Sequence, residues 1–143
     1  MAKMWRWTIV SLFAGVVLGL FLKAVQAWTD VKVYTLLLNI DYIPMLDRLN
    51  FGELFELALH LVVGVVIGNV LQRGIDKFKL VQNQRFIVII VASLTVAITY
   101  YPVTTLSERT PDFLSISAFS WWIIGHFLYG VAFYFAMNQI VEK

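Results

Sequence analysis

The sequence predicts an all-α integral membrane protein whose single domain, residues 1–143, forms a four-helix bundle. Of its residues, 60% are hydrophobic and 14% are charged, whereas a soluble domain is about half apolar and about a quarter charged. The excess of apolar residues lies in a few long runs, which is typical of helices that cross a bilayer. The chain contains no cysteine, which excludes disulfides, thiolate metal sites and a cysteine nucleophile.

Four apolar runs predict four membrane spans, and aromatic residues mark their ends. We place the spans at about residues 5–28, 53–72, 86–101 and 119–140. The third is short, but about 17 residues can cross the hydrocarbon layer. Trp and Tyr favour the interface between lipid and water. Those at the predicted span ends are Trp5, Trp7, Trp28, Tyr100, Tyr101, Trp121 and Trp122.

The first span has an alternative interpretation as a secretory signal peptide. Lys3 and Arg6 give it a basic start, and Val25-Gln26-Ala27 is suited to a cleavage site. The apolar core is long for a signal peptide, however, and Lys23 interrupts it close to that site. We therefore favour a membrane span here, with the signal peptide as the alternative.

The charges of the loops predict a protein of the bacterial cytoplasmic (inner) membrane with both termini in the cytoplasm. The link at 73–85 holds four basic residues and one acidic residue, whereas the link at 29–52 holds three acidic and two basic residues. Basic loops stay in the cytoplasm. The formal net charge of +2 is too small to indicate nucleic acid. The expected partner is the lipid bilayer, with a homo-oligomer or a membrane-protein partner left open.

The two outer links are expected to form ordered caps. The stretch from Val31 to Ile43 mixes apolar and acidic residues and is suited to a short helix in the interface. Pro44 would end or kink that helix, and Pro102 is expected to close the third span.

Glycines spaced four apart predict close helix packing. Gly15 and Gly19 form one small-xxx-small motif, and Gly64 and Gly68 form another. The missing side chains let two backbones approach, which is how helices associate in lipid. Packing within the bundle is the preferred interpretation, and a dimer face is the alternative. Gly64 and Gly130, each one turn after a histidine, are also expected to thin the helix wall beneath the ring and leave room for water or a partner side chain.

Four ionisable residues inside the spans form the predicted ligand or proton pocket. At 1.5 Å per residue, Glu56 lies roughly 5 Å, Lys23 roughly 8 Å, His60 roughly 10 Å and His126 roughly 11 Å from the outer ends of their spans. Ionisable groups are costly in a membrane and need partners. We expect Lys23 to pair with Glu56 and both histidines to line one polar pocket. The alternatives are a lysine that reaches the interface and histidines that each bond a backbone carbonyl or a hydroxyl group.

The two histidines begin the same phrase, His-x-x-x-Gly-Val, at His60 and at His126. This repetition suggests that the bundle is a two-by-two helix repeat. No HExxH pattern and no nucleophile elbow occur in the sequence. We therefore predict no catalytic residue, no metal ligand and no cofactor.

Five short phrases together resemble the YagU-like family of small bacterial inner-membrane proteins. They are the stretches 14–23, 60–65, 76–80, 101–102 and 124–128, which touch all four spans. YqhR-like four-span membrane proteins are a looser match. The resemblance implies a small inner-membrane protein of unassigned biochemistry. The family has no agreed catalytic residues, so none is carried over.

Three hypotheses about function follow from the predicted pocket. The first is an accessory or sensory membrane protein with an outward-facing intramembrane pocket whose histidines titrate near neutral pH. The second is an oligomeric transporter or channel module that uses these groups as a proton or ion relay. The third is an intramembrane enzyme, although an enzyme is the less favoured class. A continuous wet path would favour the second, and a closed inner half would favour the first.

The predicted orientation can be tested by cysteine labelling, since the chain has no native cysteine. The variants Asp41→Cys and Glu108→Cys should react with an impermeant thiol reagent in intact cells, because both positions lie on outer links. Lys79→Cys, on the basic link, should react only after the cells are lysed. Labelling of the Lys79→Cys variant alone in intact cells would reverse the orientation.

Overall fold

The computed structural model describes residues 2–40, 52–107 and 109–141, with side chains from Met4 onward. This part of the chain folds into helices, and no strand occurs in it, so the all-α prediction is confirmed. The helices are α1 (Ala2–Thr29), α2 (Val33–Leu38), α3 (Glu53–Lys77), α4 (Gln82–Ala97), α5 (Tyr100–Thr105) and α6 (Ile116–Ile140). Asp41, Pro44 and Glu108, on which predictions for the outer links rest, lie outside the described residues.

Four helical stretches are long and apolar enough to cross a membrane, as the sequence predicts. They are Met4–Thr29, Glu53–Lys77, Gln82–Thr105 and Ile116–Ile140. Each is longer than the predicted span, by two residues in the first and by eight in the third. The predicted bounds follow the apolar runs, whereas the backbone hydrogen bonds of a helix continue into the polar residues at its ends.

The third span continues past Pro102 to Thr105 instead of ending there, so that expectation is wrong. After α4 ends, the N–H groups of Ile98 and Thr99 donate to carbonyls three residues earlier. The chain becomes helical again at Tyr100, which places Pro102 in the first turn of α5. Proline is tolerated in a first turn because the N–H that it lacks has no partner within the helix there.

The long helices pack as two pairs joined at the centre. α3 packs on α1, α4 packs on α6, and α1 packs on α6. α3 and α4 follow each other in the chain and yet hardly touch. The two pairs resemble the predicted two-by-two arrangement, but an exact twofold repeat would also require α3 and α4 to pack as α1 and α6 do. A groove therefore remains between α3 and α4.

Small residues set the spacing of these pairs. A Cβ added at Gly68 of α3 would overlap the hydroxyl oxygen of Ser11 of α1, and one added at Gly125 of α6 would lie 3.0 Å from Leu18 and Leu22 of α1. Between α6 and α4, a Cβ at Gly130 would lie 2.9 Å from Ile90. Gly15 and Gly19 also face side chains of α3. Gly64 differs, because a Cβ added there would face a cavity.

The short helix α2 lies where an interfacial helix is predicted, and α1 holds it in place. The side-chain oxygen of Gln26 accepts the backbone N–H groups of Tyr34 and Thr35, each at 2.9 Å. These donors in the first turn of α2 have no partner within that helix. The contact therefore fastens the first outer link to the end of α1.

The close contact between α1 and α3 predicts opposite effects for two glycine substitutions in α3. Gly68→Ala should lower the free energy of unfolding by about 1–3 kcal/mol, because the added methyl group overlaps Ser11. At Gly74 an added Cβ has nothing within 4 Å, so Gly74→Ala should be neutral or stabilising by up to about 1 kcal/mol. Chemical denaturation of the purified variants measures both effects. Adding Ser11→Ala should recover much of the Gly68→Ala loss, and equal stability of the two single variants would contradict the contact.

Candidate functional site

A cavity of about 50 Å³ lies at the base of the groove between α3 and α4. In size it holds one or a few water molecules. Residues of all four long helices surround it, and most of them are apolar. The lining residues are Leu18, His60, Val63, Gly64, Ile67, Leu71, Ser93, Val96, His126 and Tyr129. The cavity continues into the open groove, because Val63 on its α3 wall is 54% exposed.

His126 is held in one orientation by its own helix and by α4. Its Nδ1 lies 3.0 Å from the carbonyl oxygen of Trp122 one turn earlier, and the Trp122 ring packs against it at 4.6 Å between ring centroids. The Ser93 hydroxyl donates to the backbone carbonyl of His126. A carbonyl oxygen only accepts, so Nδ1 carries the proton and Nε2 of the neutral ring is a bare acceptor. Nothing else in the described part of the chain bonds to Nε2.

Tyr129 lies one turn after His126 and brings a hydroxyl group to the same cavity. The side chain is 8% exposed, and its hydroxyl is buried without a hydrogen-bond partner among the described residues. Gly64 faces it across the cavity, since a Cβ added there would lie 3.9 Å from the hydroxyl oxygen. Leaving such a group unpaired costs about 1–3 kcal/mol, so the hydroxyl marks a place where an occupant would be stabilised.

His60 reaches the cavity from α3 and is half-buried. Within residues 2–40, 52–107 and 109–141, neither of its ring nitrogens has a hydrogen-bond partner. His60 lies seven residues after the start of α3, which is about 10 Å along the helix axis at 1.5 Å per residue. His126 lies ten residues after the start of α6, which is about 15 Å along its axis at the same rise. His60 therefore lies in the first third of α3, whereas His126 lies near the middle of α6.

Lys23 and Glu56 lie elsewhere, and the predicted pair between them is wrong. Lys23 Nζ lies 2.5 Å from Glu53 Oε1, and the Tyr34 hydroxyl donates to the same oxygen at 2.9 Å. Burial, together with this hydrogen bond, raises the pKa of Tyr34 to about 12, so the hydroxyl keeps its proton. Glu56 is 6% exposed and lies 3.7 Å from Arg109 Nη1. The depth count could not separate Glu53 from Glu56, which differ by less than one turn.

These two ion pairs lie at the end of the bundle where α1 ends and α3 and α6 begin, which we call the outer end. Neither pair lines the cavity. Of the four residues predicted to share a pocket, the structure thus brings together His60 and His126. It places Lys23 and Glu56 in the outer cap instead.

Toward the opposite, inner end the bundle is tightly packed. Phe133 is fully buried one turn beyond Tyr129, and its ring lies 5.8 Å from that of Trp7. Ser11 and Gly68 close the same level between α1 and α3. Below the cavity the helices therefore meet around the rings of Trp7 and Phe133.

The chemistry of the cavity is that of neutral hydrogen bonding. Among the residues that the structure describes, no group of three or more His, Cys, Asp and Glu side chains could hold a metal ion. The lining residues include no lysine, arginine, aspartate or glutamate.

The sequence analysis did not predict Tyr129 or Ser93 as residues of the site. Tyr129 could have been found from its position three residues after His126, whereas Ser93 depends on how α4 meets α6.

No protein-family model, no curated protein and no solved structure matches this chain.

The corrected ion pair predicts which acidic residue couples to Lys23. In double-mutant cycles built from Lys23→Gln, Glu53→Gln and Glu56→Gln, Lys23 and Glu53 should show a favourable coupling that weakens as salt is added. Lys23 and Glu56 should be additive, because they make no contact. Unfolding of the purified variants measures the free energies. A stronger coupling of Lys23 to Glu56 than to Glu53 would restore the original pairing.

Proposed function

We propose that this protein is a small multi-pass protein of the bacterial cytoplasmic membrane that acts as an accessory or sensory component by binding a ligand within the membrane. The observation that carries the proposal is the convergence of His60, His126 and the unpartnered Tyr129 hydroxyl on one cavity. Within lipid no water is at hand to satisfy such groups. The chain has two histidines, and both line this cavity. Their ring nitrogens can therefore form hydrogen bonds with a ligand that enters it.

The packing below the cavity supports binding over transport. A proton or ion relay needs a continuous row of water or polar groups, and Phe133 with Trp7 interrupts such a row on the inner side. In the predicted orientation, the polar groups of the cavity lie between the outer surface of the membrane and the middle of the bilayer. Membership in the YagU-like family is consistent with this role, and it is part of the proposal.

The proposal is tested by how ligands from a membrane change stability. A lipid extract of the expression host should raise the Tm of the purified protein, because a ligand that binds only the folded state stabilises it. The rise should be smaller for Tyr129→Phe, which lacks the unpartnered hydroxyl. Tyr134→Phe is the matched control, since Tyr134 lies on the same helix but packs on Phe86 away from the cavity. General effects of lipid are shared by all variants, so an equal rise in the two variants would contradict a ligand at this site.

A second experiment, on proton flux, distinguishes ligand binding from transport. The protein reconstituted in vesicles with an internal pH dye should pass protons no faster than empty vesicles, with a protonophore as positive control. A proton flux that disappears in His60→Ala or His126→Ala would overturn the accessory role in favour of a relay.

A further inference from the structure

We infer that the ligand of this cavity is a neutral lipid with a hydroxyl head, held by His126, His60 and Tyr129, with its apolar chain in the groove between α3 and α4. The inference rests on the proposed function and specifies its ligand class. Two observations carry it: His60, His126 and Tyr129 line one cavity, and that cavity opens between α3 and α4.

The chemistry of the head group follows from the hydrogen-bond partners that the cavity residues lack. His126 Nε2 is a bare acceptor, because Nδ1 carries the proton that bonds to the Trp122 carbonyl. It therefore needs a donor from the ligand. The Tyr129 hydroxyl, which has no partner, can donate to the ligand in return. A hydroxyl group is both donor and acceptor and can satisfy the two residues together, while neutral His60 can add one further bond of either kind.

Other common lipid heads fit less well. A carboxylate or phosphate would bring a charge into an apolar space whose lining holds no lysine or arginine, and an uncompensated charge is costly there. A ketone or quinone oxygen accepts but cannot donate, so it would leave His126 Nε2 unpaired. The volume of about 50 Å³ is suited to a single small head.

The position of the lipid's hydrocarbon chain follows from the packing of the helices. α3 and α4 hardly touch, so the cavity is open on the side that faces lipid. Val63, Ile67 and Leu71 form one wall of this opening, and Val96 lies on the other. These side chains can cover a hydrocarbon chain in the lipid layer while the head reaches the histidines.

The experiment uses photolabelling of the full chain in phosphatidylcholine vesicles. The probe is a hexadecanol that carries a diazirine in its chain, and three matched probes have the same chain with no head, a carboxylic acid or a methyl ketone. Mass spectrometry locates the label. The alcohol should label the α3 and α4 walls several-fold more than the other probes do, and unlabelled hexadecanol should compete.

Variants test the role of the hydroxyl group directly. Tyr129→Phe should raise the half-saturating concentration of the alcohol about three- to tenfold, as expected for one lost hydrogen bond. Tyr134→Phe should leave it unchanged. If Tyr129→Phe does not fold, the comparison of the four probes on the native chain still decides the matter.

Several outcomes would overturn the inference. Equal labelling by the headless probe would mean that the groove is a plain apolar surface. Stronger labelling by the acid or the ketone would assign a different head, and labelling of the groove by none of the probes would leave the cavity to water. A histidine-dependent proton flux would refute the proposed function instead, and it would do so even with the preference for an alcohol intact.

Discussion

The packing of α1 against α6 is the contact on which the rest of the structure depends. It joins the pair α1–α3 to the pair α4–α6, whose outer members hardly touch each other. Gly125 makes this contact close, since a Cβ there would lie 3.0 Å from Leu18 and Leu22. With the two pairs fixed at their centre and apart at α3 and α4, a groove is a geometric consequence. Its floor is formed by Leu18 of α1 and by His126 and Tyr129 of α6.

The treatment of polar groups differs between the bundle at large and the cavity. Several hydroxyl groups in the spans are satisfied by their own helix, as when Thr8, Ser11 and Thr95 each donate to the carbonyl four residues earlier. Such local bonds remove the cost of a polar side chain in an apolar layer. The Tyr129 hydroxyl and the His60 ring have no such bond within the described residues. Trp7 Nε1 and Asn138 Oδ1 are also buried without a partner among the described residues, but only at the cavity does such a group lie beside two histidines.

The charged side chains that form ion pairs lie at the outer end of the bundle, apart from the cavity. Glu53 accepts from both Lys23 and Tyr34, and Glu56 lies beside Arg109. These groups tie α3 to α1, to α2 and to the second outer link. Lys23 and Glu53 are exposed, so water screens their charges, whereas Glu56 is buried beside Arg109. The cavity, about two turns deeper, is left with neutral groups. In the proposed function, a ligand there would be recognised by the directions of hydrogen-bond donors and acceptors, while the ion pairs at the outer end hold the helices in place.

The sequence by itself determined the helical class and the four long apolar helices, because the length and composition of an apolar run decide whether it can cross a bilayer. It also identified both histidines, since ionisable residues are rare in such runs. It misassigned the partner of Lys23, because counting depth along separate helices does not fix how they rotate against one another. It could not find Tyr129 and Ser93, or the open groove. Those features depend on which helix faces pack and which stay apart, and close approach at a few glycines decides that only when the whole bundle is assembled.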